Sequence, residues 1–316
     1  MQFFSASELD AKLDFPALID ALAEGFRGGL TAPARHHHTI PRAFEPAATH
    51  LLMPAWSEGA GGGDFIGVKI VNVFPGNSAR GLPAVHGTYV LQSAETGETL
   101  AILDGTRLTL WRTAAASALA ARHLAREDAR ELLLVGAGAL APFLVRAHAS
   151  QRPIARIAIW NHRPEGARKL AASLAAAGFC ASAVENLQDA VREADIVSCA
   201  TLAQAPLISG GWLRPGQHVD LIGAYSMQMR EVDDAALQRA RIFVDTPAAL
   251  TEGGDVAQGL ASGAISRTDV VGDLPALVSG APGRGAAEEI TLFKSVGAAI
   301  EDLAAAMLVW KRAGSR

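Results

Sequence analysis

Apolar residues near the start of the chain, Leu9, Leu13, Leu18, Leu22 and Phe26, recur every three to five positions, which predicts an amphipathic helix broken near Pro16. Apolar segments follow at 49–56, 65–74, 85–93 and 98–103 and read as strands. The loop Glu58-Gly59-Ala60-Gly61-Gly62-Gly63-Asp64 separates the first two, and Glu95-Thr96-Gly97 supplies a hairpin turn between the last two. Strands in such quick succession predict an antiparallel sheet. From Thr106 to Arg126 the chain is alanine-rich without glycine or proline, and predicts one long helix. Short apolar runs then alternate with helical stretches: strands at 131–135, 155–160, 181–184 and 195–200, helices at about 139–150, 165–177 and 186–193, and further strands at 217–222 and 241–244. That alternation predicts βαβ crossovers and a doubly wound parallel sheet. Leu292, Val296, Ile300, Leu303, Met307 and Trp310 then predict a closing helix over 290–311. Because it follows the α/β series, it is expected to return to the first domain, giving a discontinuous α+β domain of residues 1–115 with 290–316 and an α/β domain of residues 116–289.

Composition narrows the function classes. The chain has 316 residues, 50% of them hydrophobic and 19% charged, with a formal net charge of −4. It is neither disordered nor basic enough to suggest a nucleic-acid partner. The apolar stretch 132–145 falls short of the ~20 residues a membrane span needs and contains Gly136, Gly138 and Pro142. Residues 1–15 carry Glu8, Asp10 and Asp14 and do not read as a secretory signal. Two cysteines, Cys180 and Cys199, are too few for a disulfide framework and are expected to pack as small hydrophobes. The expectation is a soluble cytoplasmic protein. Only five of the 28 basic residues are lysines, so arginine is the common surface cation and a lysine in an apolar strand stands out.

Gly136-Ala137-Gly138-Ala139-Leu140-Ala141 is a G-x-G-x-x-A that follows a predicted strand and opens a helix. Its first glycine permits the turn, the second lets the backbone approach a pyrophosphate, and the helix N-terminus favours the phosphate charge. The next strand ends Asn161-His162-Arg163, with no carboxylate before Glu165 to take a ribose 2′-hydroxyl. Arg163 is suited to a 2′-phosphate, so NADP(H) is favoured and NAD(H) is the alternative.

Lys69 stands in the apolar strand 65–74, where alternation places Phe65, Gly67, Lys69, Val71 and Val73 on one face. A lysine there snorkels from an edge strand, pairs with an anion, or serves a substrate site with a lowered pKa. Arg112 lies among small apolar residues of the long helix, where it is either an ordinary surface cation or a bidentate carboxylate ligand. His36-His37-His38 alternates in direction along a strand and cannot converge on one ion, and His86 and His218 have no partner at metal-ligand spacing.

These segments carry a resemblance. Gly67-Val68-Lys69-Ile70-Val71-Asn72, Leu110-Trp111-Arg112-Thr113-Ala114-Ala115-Ala116-Ser117-Ala118, Val135-Gly136-Ala137-Gly138, Ala200-Thr201 and Glu289-Ile290-Thr291-Leu292-Phe293-Lys294-Ser295-Val296-Gly297 occur in the order seen in the ornithine cyclodeaminase/mu-crystallin family. The resemblance spans nearly the whole chain. It implies a homodimer in which each subunit joins a Rossmann domain to a discontinuous substrate-binding and dimerisation domain. It also implies substrate roles for Lys69 and Arg112, with Arg35 or its rival Arg42 as third carboxylate ligand, and cofactor contacts at Thr201, Ile222, Gly223 and Ser295. The loop 222–231 departs from the cyclodeaminases of the family, which place an aspartate where this chain has Tyr225. There it resembles the family's alanine dehydrogenases and ketimine reductases. The activity so implied is hydride transfer at the α-carbon of a small amino or imino acid. Ornithine cyclodeamination is the alternative, with Glu231 the nearest substitute carboxylate, and a non-catalytic NADP(H)-binding protein is a second.

Overall fold

The computed structural model describes residues 1–58 and 65–314, so the glycine-rich loop expected at 58–64 falls outside the described residues except for Glu58. The chain begins with β1 (Gln2–Phe4), α1 (Ala6–Lys12), α2 (Phe15–Arg27), β2 (Leu30–Thr31), β3 (His36–Ile40), β4 (Ala48–Ser57), β5 (Phe65–Val73), β6 (Val85–Ser93) and β7 (Thr99–Asp104). Then come α3 (Gly105–Leu124), β8 (Glu131–Val135), α4 (Ala141–Ala149), β9 (Arg156–Trp160), α5 (Pro164–Ala176), β10 (Ala181–Ala183), α6 (Leu187–Glu193), β11 (Ile196–Cys199) and β12 (His218–Leu221). The remainder is α7 (Asp234–Arg239), β13 (Arg241–Val244), α8 (Ala249–Glu252), α9 (Gly254–Ser262), β14 (Val270–Asp273), α10 (Leu274–Val278), β15 (Thr291–Lys294) and α11 (Ala299–Ala313). These elements form two compact units, residues 1–113 with 298 onward, and residues 114–297.

In the first unit the sheet order is β1-β7-β6-β5-β4-β2, with β3 also pairing β4. The expected antiparallel pairing runs from β2 to β7, but β1 joins the β7 edge in parallel, anchored by the buried Phe4. The early helix breaks at Leu13, one turn earlier than Pro16 suggested. Asp14 caps α2 by accepting from the Ala17 N–H, and Pro16 sits in the first turn, where its missing donor costs nothing. Helix α11 packs on α2 and on β4 to β6. Its Ala304, Ala305 and Ala306 are buried, and such small side chains let a helix lie close to a sheet.

The second unit is an eight-stranded parallel sheet in the order β10-β9-β8-β11-β12-β15-β13-β14, a Rossmann-type α/β fold. Its core gathers Leu133, Val197, Val219, Ile242 and Leu292 from the strands. Here a sequence expectation fails. Residues 291–294 are β15, inserted between β12 and β13, and the closing helix starts only at Ala299. A run of four residues buried on both faces fits a helical template as well as a strand, and Gly297, at φ +80°, separates the two elements. The unit boundary accordingly lies near 298, not 290. No helix among the described residues is long and apolar enough to cross a membrane.

Candidate active site and nucleotide cleft

In the first unit, alternation along β5 turns Gly67, Lys69 and Val71 into the interior. β5 lies between β4 and β6, so Lys69 has no sheet edge along which to snorkel. Its side chain is 1% exposed, and its Nζ lies 2.8 Å from the carboxylate oxygens of Asp302 in the first turn of α11. Arg112, on α3, is 6% exposed and is therefore not an ordinary surface cation. Its Nε donates to Asp302 Oδ1 at 3.0 Å and its Nη1 donates to Glu301 Oε2 at 2.6 Å. The two cations therefore share one carboxylate. Burial, and then the charge of Arg112, lower the Lys69 pKa to about 8, while Asp302 and Glu301 act in the opposite sense. Tyr89 on β6 stands opposite Lys69 in register, fully buried, and its hydroxyl has no hydrogen-bond partner among the described residues. A Cβ at Gly67 would come within 1.9 Å of that hydroxyl, so the glycine makes room for the ring. Burial, followed by the Asp302 charge, holds the phenol well above its usual pKa, so it stays protonated as a donor. An orphaned buried donor beside paired cations suits an incoming polar ligand atom.

In the second unit the C-terminal ends of β8, β9 and β11 frame a cleft of about 510 Å³ lined by Gly136, Ala137, Gly138, Trp160, Asn161, His162, Ala200, Thr201 and neighbours. Gly136 has φ +111°, and a Cβ there would lie 2.6 Å from the Ala200 carbonyl oxygen. Gly138 is the opposite case, since a Cβ built on it meets nothing within 4 Å. That open backbone, with Ala139 and Leu140 leading into a helix start that no side chain caps, fits a pyrophosphate. Asn161 accepts from the Ala137 N–H at 3.3 Å and donates to the Arg163 carbonyl at 2.9 Å, which braces the rim. His162 and Arg163 are exposed there, whereas Arg168 is paired with Glu185 at 3.0 Å.

Buried carboxylates tie down the loops behind the cleft. Glu231 accepts from the N–H and hydroxyl of Thr201 at 2.7 and 2.8 Å, and from the N–H groups of Gly223 and Ala224 at 2.9 and 3.3 Å. Burial raises its pKa to about 7, against the pull of Lys294. Four donors hold it in place, so it is not a swinging substitute for the cyclodeaminase aspartate. Tyr225 is 43% exposed, and partial burial raises its phenol pKa. Ile222 is buried at the end of β12. The Ser295 hydroxyl donates to Asp245 Oδ2 at 3.1 Å.

Arg35 is half-buried just before β3, while Arg42 is exposed, paired with Glu45 at 3.5 Å and set over the Phe74 ring. His36, His37 and His38 are exposed on β3, and among the described residues no three metal-capable side chains converge. Cys199 is buried as expected, but Cys180 is exposed, because it precedes the edge strand β10. The residues that sequence reasoning passed over are Glu301 and Asp302. Acids in a first helical turn look like ordinary partners of the helix dipole. The available signal was that α11 is apolar on nearly every side, which leaves its acids no route to water.

Comparison with known proteins agrees with this architecture. A Delta(1)-pyrroline-2-carboxylate reductase of Paracoccus denitrificans is 42% identical over 312 residues, covering 96% of this chain and 94% of that protein. The Thermococcus litoralis Delta(1)-pyrroline-2-carboxylate reductase, solved with NADH and L-proline, superposes with a TM-score of 0.93 at 31% identity, covering 99% and 97% of the two chains. An archaeal alanine dehydrogenase dimer with bound NAD gives a TM-score of 0.90 at 30% identity, covering 99% and 96%. The model of one family matches residues 3–316, and the chain belongs to it: the ornithine cyclodeaminase/mu-crystallin family.

Proposed function

We propose that this protein is an NAD(P)-dependent reductase of cyclic α-imino acids, acting on a five-membered ring of the Δ1-pyrroline-2-carboxylate type to give the L-amino acid. The observation that carries the reading is the Lys69–Arg112 cation pair, held on one carboxylate inside an apolar layer. The names of the reductase relatives support the ring size. Gly136, Gly138 and the uncapped helix start would hold a nicotinamide cofactor, which would supply the hydride for the imine carbon. Arg112 takes the substrate carboxylate through parallel hydrogen bonds, with Arg35 as third ligand. As the new C–H bond forms, the C=N electron pair moves to nitrogen, which takes a proton from the Lys69 ammonium. The neutral amine left on Lys69 regains its proton from water at pH values near its pKa of about 8.

The cofactor contacts belong to the same proposal: Gly136, Gly138, Ala139 and Leu140 at the pyrophosphate, Asn161, His162 and Arg163 at the ribose end, and Thr201, Ile222, Gly223 and Ser295 further along. Relatives of solved structure carry NADH or NAD, whereas the rim residues of this chain favour NADP(H). Assembly is proposed as a homodimer through the outer face of the first unit's sheet. Trp56, Ile66, Val68 and Val90 leave that face apolar and partly exposed, and the alanine dehydrogenase neighbour is a dimer.

Cyclodeamination of ornithine is the second reading, and two observations weigh against it. Tyr225 has a raised pKa, and Glu231, although it titrates near 7, is locked by four donors, so the loop presents no carboxylate free to reach a substrate amine. Oxidation of NADPH and NADH by the purified protein, followed spectrophotometrically with Δ1-pyrroline-2-carboxylate, tests the proposal. Reduction to proline is expected. Proline and ammonia formed faster from ornithine with catalytic NAD would overturn it, and absence of turnover with any imino acid would favour a non-catalytic binder.

A further inference from the structure

We infer that Asp302 is a positioning residue that seats the ammonium of Lys69 and the guanidinium of Arg112 on a single carboxylate, so that proton donor and carboxylate ligand are registered against one helical turn. The inference rests on the reading of Lys69 as the proton donor. The groups around Lys69 come from every element packed on it: Asp302 and Glu301 on α11, Arg112 on α3, and Tyr89 opposite it on β6, while its β4 neighbour Met53 is apolar. Two cations and two anions sum to zero, so the cluster keeps both cations charged before any ligand arrives. Glu301 secures the other end of Arg112 and is itself anchored, its second oxygen accepting from the Ala298 N–H at 3.3 Å.

A buried ion pair serving stability alone is replaceable by apolar side chains at little cost. This one has a feature that stability does not require: the carboxylate opposes the influence of Arg112 on Lys69. Burial and then Arg112 drive the proton off Lys69 and Asp302, hydrogen-bonded to it at 2.8 Å, keeps it on, so Asp302 extends upward the pH range over which Lys69 has a proton to give. Glu301, one residue earlier, holds the carboxylate-binding side chain. The two acids thus divide the labour, one toward proton transfer and the other toward substrate affinity.

The test uses the full-length protein and its Asp302→Asn, Asp302→Glu and Glu301→Gln variants. The chain has five lysines, so lysine-labelled NMR resolves the Lys69 side chain, assigned by its loss in Lys69→Met, and reads its pKa without reference to activity. Removing the charge in Asp302→Asn should lower the Lys69 pKa by about one unit or more, and move the basic limb of kcat for imine reduction down by the same amount. Asp302→Glu should return both toward wild type, and it carries the test if the asparagine variant does not fold. Glu301→Gln should raise KM for the imino acid several-fold with a smaller loss in kcat. An Asp302→Asn protein whose Lys69 pKa stays at the wild-type value overturns the inference. A shifted Lys69 resonance in a protein that reduces no imino acid sustains the positioning role and removes the functional reading instead.

Discussion

Each unit buries a lysine against an aspartate, and the two pairs differ in what else their carboxylates hold. Lys69 lies 2.8 Å from Asp302, and Lys294 lies 3.2 Å from Asp255. Asp302 accepts from two side-chain cations. Asp255 instead accepts from the backbone N–H groups of Glu231 and Val232, at 2.6 and 3.1 Å. Nearby Asp245 accepts from those of Thr246, Val296 and Gly297, at 2.6, 2.7 and 2.6 Å. The second unit thus uses its buried acids to fix loops at the C-terminal ends of its strands, where peptide donors would otherwise go unmet. The first uses them to present cations. Burial of charge is therefore no sign of chemistry by itself; the two pairs differ in whether the carboxylate holds peptide N–H groups or a second side-chain cation.

The largest effect expected from this contrast comes from exchanging each lysine for methionine. Lys69→Met should lower kcat for imine reduction by roughly a hundredfold or more, since a positioned proton donor contributes about 10²–10⁴. Its affinity for the cofactor, measured by calorimetry, should stay at the wild-type value. Lys294→Met should do the reverse. It leaves Asp255 buried without its cation, which costs about 3–5 kcal/mol of unfolding stability, and it should loosen the loop that Asp255 holds at Glu231 and Val232 while leaving the pH dependence of kcat in place. If both variants lose stability equally and keep comparable turnover, the distinction between the two pairs collapses.

How much of this was legible in the chain follows from the same contrast. Lys69 stood out because a charged residue interrupts an otherwise apolar strand; alternation gives its face, and the central place of β5 between β4 and β6 gives its burial. The strands at 85–93 and 131–135 fall where their apolar runs end, bounded by turn residues. Asp302 was not legible, because its partner lies 233 positions away and nothing local marks an acid as desolvated. Four residues carry too little periodicity to separate strand from helix at β15, and β14 and helices α7, α8 and α10 are short in the same way. The strand–turn–helix at the G-x-G-x-x-A could be read because it is a backbone geometry, which glycine positions record directly. Sequence thus reports local backbone demands well and long-range charge pairing poorly.

A second experiment sharpens the comparison through pH, because the units should respond in different windows. Burial, with His148, Arg284 and Arg152 adding to it and Asp220 opposing, depresses the His218 pKa to about 3 in the second unit. The unfolded chain binds this proton below about pH 6.5 and the folded chain does not. The contribution of neutral His218 is therefore fully present above pH 6.5 and is lost as pH falls toward 3, at about 1.4 kcal/mol per pH unit. His218 Nδ1 pairs with the Thr291 hydroxyl at 3.0 Å, so His218→Gln retains a polar partner there while removing the titration. Urea unfolding from pH 7 to pH 4 should show a shallower loss of stability in the variant, whereas kcat should keep its basic limb near the Lys69 pKa of about 8. A variant with the wild-type slope would remove His218 as the source.

The smallest expected effect concerns a charge that neither unit buries. Arg163 is exposed, immediately before α5 and just after β9, next to Asn161 and His162, which line the cleft of the second unit. An exposed arginine contributes little to stability, so Arg163→Ala should leave the unfolding midpoint nearly unchanged. Its proposed role is to meet a 2′-phosphate, and hydrogen bonds to charged groups are worth about 1.5–3 kcal/mol. Solvent and salt weaken that contact, so the lower end of the range applies and NADP(H) affinity should fall by roughly tenfold. NAD(H) lacks the phosphate and should bind the variant as it binds the wild type. The difference should also shrink with added salt, as a screened charge contact must, whereas a packing defect would weaken both cofactors at every ionic strength. Equal losses for the two cofactors, or a wild-type protein that binds NAD(H) more tightly, would assign the ribose end of the cleft to NAD(H).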